Sequence, residues 1–243
     1  MMNNVLLLPV IGYMHSPFIE KFGIPRQPNL VNSISYVVMN PPYDDLSAFI
    51  GIEQFSHIWL LWQFHDNKRK NHDKDFQPLI RPPRLGGNQK IGIFASRSMY
   101  RPAPVGLSVV QLIEVKRVGK ETRVYVKGSD LLNGTPIIDI KPYLVYGDAV
   151  AEAKSGYAQE APLLLAVLWQ ENAREQQQRL LDTGHLTPAI LSEIEQVVAL
   201  NPKPAYQTDE SKIYGLSYAH VNVKFRIFTD HVEMISIELI GAS

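Results

Sequence analysis

The sequence predicts a mainly β fold: a closed antiparallel β-barrel followed by a small C-terminal α+β domain. Three observations carry that expectation. Short β-rich runs broken by turn signals fill the first 150 residues, long amphipathic helices are missing from that part, and the pattern turns helical after Asp148 before alternating again near the C-terminus. Closely spaced strands without crossover helices pair antiparallel, and closing the sheet is the way to hide its edges.

The expected strands are Val5 to Tyr13, Ser33 to Met39, His57 to Phe64, Lys90 to Ala95, Val105 to Val115 and Arg123 to Lys127. Each is rich in β-branched or aromatic residues. Pro41-Pro42, Pro82-Pro83, Gly86-Gly87, Pro102, Pro104 and Gly134 punctuate them. Asp44 to Gln54 offers the one helix of this part, with Leu46, Phe49 and Ile50 at helical spacing. Beyond residue 155, helices are expected over Gln159 to Arg179 and from Thr187-Pro188, an N-cap with a first-turn proline. The runs Val221 to Phe228 and Val232 to Leu239 read as a hairpin. These features predict a barrel over residues 1–155 and an α+β domain over residues 156–243, joined at Ala151 to Tyr157.

Composition narrows the function. Hydrophobic residues make up 45% and charged residues 20% of the 243, ordinary for a chain with a core. The absence of cysteine excludes disulfide scaffolds, thiolate nucleophiles and cysteine-ligated clusters. The apolar run Val5 to Ile11 has no basic residues before it and is interrupted by Pro9, so it reads as a buried strand rather than a membrane span. A soluble protein with a cytoplasmic location and no membrane partner is expected.

Charge is unevenly placed. Twenty-four basic residues balance 24 acidic ones, yet residues 68–101 carry nine basic against two acidic side chains, and the rest of the chain is correspondingly acidic. Such a stretch steers polyanions or pairs with the acidic remainder. Within it, Ile80 to Ser108 (IRPPRLGGNQKIGIFASRSMYRPAPVGLS) sets Arg81, Arg84, Arg97 and Arg101 among prolines and glycines that fix an irregular backbone. Any one of these arginines fits a loop-to-carbonyl cross-link as well as a ligand contact. Four together point to an anionic ligand, because the guanidinium fork suits phosphate and carboxylate.

Three further stretches carry candidate chemistry. KFGIPRQ (Lys21 to Gln27) turns at Gly23 and Pro25 and exposes Arg26 and Gln27, as a plain surface turn also would. HIWLLWQFHD (His57 to Asp66) is apolar on both faces and reads as core, but its end places Phe64 and His65 at a rim, where a ring stacks a base and an imidazole moves a proton. DLLNGTPIIDIKPY (Asp130 to Tyr143) turns at Asn133-Gly134 between Asp130 and Asp139; its carboxylates suit an amine or ribose hydroxyls, or simply cap the turn. No P-loop, G-x-S-x-G, helical metal-ligand pair or strand-to-helix G-x-G-x-x-G is present, so no metal and no Rossmann domain are expected.

Taken with IGYMHSPFIEKFGIPRQ, these blocks resemble, in order over residues 5–148, the signature blocks of the TsaA-like or YaeB-like (TrmO) family of tRNA N6-threonylcarbamoyladenosine methyltransferases. The resemblance implies a non-Rossmann methyltransferase on a β-barrel, a homodimer that uses S-adenosylmethionine to methylate N6 of threonylcarbamoyladenosine at position 37, beside the tRNA anticodon. Carried over by residue, it implies cofactor contacts from Pro25, Arg26, Gln27, Phe64, His65, Arg97, Leu107, Asp130, Leu131, Leu132 and Asn133. Met99, Lys90, Ala103 and Asn133 depart from the family's usual proline, arginine, asparagine and aspartate. His65 and Asp139 are the expected proton acceptors. Lys68, Arg69, Lys70, Arg81, Arg84 and Arg101 are the expected contacts to the anticodon loop. A non-catalytic RNA-binding barrel and a hydrolase of a small anionic metabolite, using His65 and Asp139, are the competing readings.

Overall fold

A computed structural model of the chain describes residues 6–66, 76–86, 88–204 and 206–241. Its first part contains β1 (Gly12–His15), β2 (Ile34–Met39), β3 (His57–Gln63), a two-residue pair β4 (Leu79–Ile80) and β5 (Ile91–Gly92), β6 (Val105–Val118), β7 (Glu121–Lys127) and β8 (Pro136–Pro142). A single turn α1 (Val145–Asp148) leads to β9 (Ala166–Trp169), α2 (Glu171–Asp182), α3 (Pro188–Ala199), β10 (Ile213–Tyr218), β11 (Val221–Ile227) and β12 (His231–Leu239).

Six strands form one large antiparallel sheet in the order β1-β2-β7-β6-β3-β8, and the ladder returns from β8 to β1 through Gly12–Ile137 and Tyr13–Pro136. The strand sequences explain it: along β2 and β7 buried and more exposed residues alternate, as a half-buried strand requires. Met14, Val37, Ile58, Leu60, Val110, Val124, Val126 and Ile137, all fully buried, fill the space enclosed by that sheet. Each such side chain contributes ~1.5–3 kcal/mol by leaving water.

The registers put all connections of interest at one rim. His15 pairs with Tyr36, Gln63 with Val105, and Ile34 with Lys127. Residues 16–33, 64–104 and 128–135 therefore leave the ring at the same end. The three stretches that carry candidate residues on loops are brought together by strand direction alone.

A second sheet, ordered β10-β11-β12-β9, is antiparallel except that β9 runs parallel to β12. Its core includes Ile194, Val198, Leu216, Tyr218, Phe225 and Met234, together with Phe18 and Val31 from the stretch between β1 and β2. No helix of the described residues is long and apolar enough to cross a membrane.

Several expectations need correction. Leu6, Leu7 and Leu8 are 78%, 88% and 47% exposed and lie outside any strand, so the N-terminal run is not a buried strand; Pro9 has no N–H for a ladder. Asp44 to Gln54 forms two short 3₁₀ turns, Leu46–Phe49 and Ile52–Gln54, because Gly51 between them takes φ 90° and breaks the helix. Lys90 to Ala95 supplies only β5 and a 3₁₀ turn. Gln159 to Arg179 is not one helix: its leucine-rich half is extended after Pro162, pairs with β12 as β9, and leaves the helix to Glu171–Asp182. Pairing with a neighbour overrode local helix propensity there. The strands β8 and β10 were not expected.

Candidate active site

The rim cluster is built from one continuous set of contacts. Trp62, on the inward face of β3, donates its indole N–H to Ser108 Oγ at 3.0 Å. Ser108, 1% exposed on the inward face of β6, donates in turn to Asp130 Oδ1 at 2.6 Å. The Arg97 guanidinium acts on Asp130 through its charge and donates to Gln27 Oε1. Phe64 packs edge-on against Trp62 with ring centroids 4.3 Å apart. Lys21, in the same stretch as Gln27, pairs with Asp66 at 3.1 Å. Parts of residues 16–33, 64–104 and 128–135 thus meet in one place.

Electrostatics mark Asp130 as the unusual group. Burial pushes its carboxyl up to about 6, against the lowering effects of the Ser108 hydrogen bond and the Arg97 charge. A carboxylate held ready to ionise near neutrality is a functional-site signature when a cation stands beside it.

The loop after Asp130 is tied to the loop after β1. Asn133 Oδ1 accepts from Ser16 N at 3.2 Å and Asn133 N donates to Phe18 O at 2.8 Å. The Asn133 side chain is therefore a loop-to-loop cross-link. Leu131 is 1% exposed and belongs to the ring's core, so it presents only backbone to a ligand; the Leu132 carbonyl accepts from Thr135 Oγ1 at 2.7 Å. Pro25 is buried and Arg26 is exposed, with its carbonyl accepting from the Gln27 side chain.

Other expected residues separate from the cluster. Leu107 is 50% exposed and points away from Ser108, as consecutive strand positions do. Asp139, expected as a proton acceptor, is not joined to the cluster among the described residues: its carboxylate pairs with Lys141 at 2.7 Å and accepts from Ile140 N at 2.9 Å. The cause is a bulge opposite Leu61 and Trp62, which shifts the β8 register so that Asp139 pairs with Leu61 rather than continuing the inward row of Ile137. His65 is exposed with no hydrogen-bond partner among the described residues.

The arginines divide. Arg101 donates to Ser96 O at 2.7 Å and lies 5.5 Å over the Phe94 ring, so it stiffens residues 93–101 from within. Arg84 donates to Glu160 O at 2.5 Å, anchoring its turn to the connection between the two sheets. Arg81 is exposed. Lys68, Arg69 and Lys70 lie outside the described residues. Among the described residues no group of three His, Asp or Glu side chains is arranged to hold a metal ion.

Ser108 and Trp62 were not singled out from sequence. The signal was there: a serine at an inward position of a strand whose other inward residues are Gly106, Val110 and Leu112 needs a polar partner.

Comparison with known proteins gives the family of the chain. The model of the tRNA-methyltransferase O N-terminal domain matches residues 13–149, and that of the TrmO C-terminal domain matches residues 162–240. The chain belongs to the TrmO family. An Escherichia coli K12 protein named tRNA (adenine(37)-N6)-methyltransferase is 39% identical over 233 residues, covering 94% of this chain and 96% of that one. A Pseudomonas aeruginosa relative named as an S-adenosylmethionine-dependent methyltransferase is 45% identical over 208 residues, 85% of this chain and 86% of its own. A crystal structure titled TrmO from Pseudomonas aeruginosa superposes with a TM-score of 0.77 at 34% identity, covering 97% of each chain.

The rim of this TrmO-family chain fits S-adenosylmethionine by its donor set. A zwitterionic adenosyl sulfonium needs an anion for its ammonium or ribose hydroxyls, cations and amides for its carboxylate, and an apolar surface for its ring. Asp130, Arg97 with Gln27, and Phe64 on Trp62 are groups of these kinds within one contact network, and they are the residues that would hold it.

Proposed function

We propose that this chain is an S-adenosylmethionine-dependent tRNA adenine-N6 methyltransferase, built on a closed β-barrel, whose acceptor is N6 of threonylcarbamoyladenosine at position 37. The observation that carries the reading is the Trp62–Ser108–Asp130 relay beside Arg97 and Gln27, inside the segment that matches the tRNA-methyltransferase O model.

When bound, S-adenosylmethionine supplies an electrophilic methyl carbon on a positively charged sulfur. The protein's share is alignment, since holding two reactants in line is worth ~7–11 kcal/mol in favourable cases. Asp130, Arg97, Arg26 and Gln27 hold the polar ends of the ligand, while backbone of residues 131–133 and the Phe64 ring close its sides. Methylation at N6 leaves a proton to remove, and in this reading exposed His65, next to Phe64 at the rim, accepts it, an assistance typically worth ~10²–10⁴-fold. Asp139, bound to Lys141, has no part in this reading. Arg81 and the basic residues Lys68 to Lys70 hold the phosphates of the anticodon loop.

The chain acts as a homodimer in the cytoplasm, where its tRNA substrate is found. Exposed Phe76, Phe94, Tyr100 and Leu107 beside the rim give a second copy an apolar face to cover.

The test is incubation with labelled S-adenosylmethionine and two tRNA preparations, with and without the threonylcarbamoyl group, followed by nucleoside mass analysis. Methyl transfer only to the threonylcarbamoylated tRNA is the expected result. Transfer to both preparations overturns the substrate assignment, and tight tRNA binding without transfer restores the reading as a binding module.

A further inference from the structure

We infer that the second sheet and its helices act as a clamp that sets the conformation of the donor-binding stretch, residues 16–33, so that methyl-donor affinity depends on side chains that never touch the donor. This rests on the assignment of Arg26, Gln27 and Arg97 to the donor site.

The stretch has two sides with different masters. Its polar side reaches the ring's rim, through Gln27 to Arg97 and Lys21 to Asp66. Its apolar side is buried in the other unit. Phe18, 1% exposed, meets Tyr218 edge-on at 5.4 Å, Phe22 stacks on Tyr214 at 5.9 Å, and Val31 is 2% exposed in the same core. Gly23, at φ 86°, lies so close to this core that an added Cβ would be 2.5 Å from Leu216 Cδ1.

The backbone is bound in the same direction. Ala219 N donates to Pro17 O at 2.8 Å, Ser217 N donates to Glu20 Oε1 at 2.6 Å, and Asn32 N donates to Gln196 Oε1 at 2.8 Å. Glu193, buried between the units, accepts from Ile34 N at 3.4 Å and from the Tyr218 hydroxyl at 2.7 Å. A connection this long has no regular structure of its own between β1 and β2, and ordering each residue costs ~1–2 kcal/mol. The core that offsets this cost is the second unit's. A loop that is only partly in its binding conformation weakens apparent affinity by the populated fraction. Phe22 is thus a positioning residue for Arg26 and Gln27, four and five places along the chain.

The experiment compares the full-length parent with Phe22→Ala, Phe22→Leu and Gln196→Ala. It measures S-adenosylmethionine affinity by calorimetry, tRNA affinity, and amide hydrogen exchange over residues 16–33 and α3. Phe22→Ala is expected to weaken donor binding at least tenfold, with tRNA affinity within twofold and faster exchange across residues 16–33; Phe22→Leu restores most of the loss. Saturating donor is expected to slow exchange in α3 of the parent, because coupling between two sites is reciprocal. Folded Phe22→Ala that binds donor as the parent does, or α3 exchange indifferent to donor, overturns the inference. If Phe22→Ala does not fold, Gln196→Ala, which removes the Asn32 tie together with an exposed bond to Ser192 within α3, decides by the same two readouts. A parent that binds no donor sinks the functional assignment instead, and the exchange of residues 16–33 in the variants then judges the clamp alone.

Discussion

Gly106 and Trp62 face each other across β6 and β3, and a Cβ on Gly106 would stand 2.3 Å from the indole ring. The missing side chain is what lets Trp62 lie over β6 and donate to Ser108. Gly106→Ala must displace a buried indole, and overpacking of this kind costs ~1–3 kcal/mol. Both the melting temperature and S-adenosylmethionine affinity are expected to fall together. A variant that loses stability but binds donor unchanged would separate the Trp62 relay from the site.

Ser108→Ala reports on Asp130. The Asp130 carboxyl, raised to about 6 by burial, is held down by the Ser108 hydrogen bond. If the carboxylate grips a cationic part of the donor, affinity rises as pH increases through 6 in the parent. A hydrogen bond to a charged group is worth ~1.5–3 kcal/mol, and one pKa unit is ~1.36 kcal/mol, so Ser108→Ala moves that midpoint up by about one unit or more. A pH profile of donor binding that keeps its midpoint in the variant refutes this role.

The same raised carboxyl gives Asp130→Asn a signature of opposite sign in stability. With the folded value near 6 and the unfolded one near 3.8, the Asp130 contribution is fully favourable below the unfolded value and is lost as pH rises through 6. Asp130→Asn removes that loss. Its melting temperature relative to the parent is expected to be higher at pH 8 than at pH 4, while donor binding disappears. Loss of binding with no such gain would mean that the asparagine disturbs the loop rather than the charge.

Most of the ring was legible because its strands are short runs rich in β-branched and aromatic residues between turn signals. In the fold, His57–Gln63, Val105–Val118 and Glu121–Lys127 bury alternate residues over much of their length. What failed depended on partners far along the chain. Ala166–Trp169 is a strand only because β12 lies beside it, and Asp139 left the site through a one-residue bulge that no spacing rule announces. The four arginines looked alike in sequence, whereas their carbonyl partners, Ser96 and Glu160 among them, distinguish cross-links from Arg97. That the first candidate block is packed into the second unit's core was likewise invisible, since Phe18, Phe22 and Val31 carry no mark of which sheet they face.

Arg81→Ala and Arg101→Ala are expected to differ in kind. Exposed Arg81 is assigned to phosphate, so its loss flattens the dependence of log affinity for tRNA on log salt by about 0.7 and leaves the melting temperature unchanged. Arg101 braces Ile93 to Ser96 and the Phe94 ring, so its loss lowers protection of residues 93–101 against exchange. Equal salt slopes for parent and Arg81→Ala would remove Arg81 from the tRNA surface.

Arg97→Lys tests geometry at constant charge. The guanidinium donates to Gln27 while its charge acts on Asp130, and a planar fork serves two such partners where an ammonium serves as a point charge. Lysine keeps the positive field, so the Asp130 midpoint in the donor-binding profile is expected to stay near 6. The directed bond to Gln27 is lost, and with it the fixed placement of the stretch that carries Arg26. Donor affinity falls by about 10- to 100-fold, the range of ~1.5–3 kcal/mol for a charge-assisted hydrogen bond. Gln27→Ala in the Arg97→Lys background then costs less than it does in the parent, because both changes remove the Arg97–Gln27 contact. Additive losses in that double-mutant cycle would show that Arg97 and Gln27 hold the donor independently.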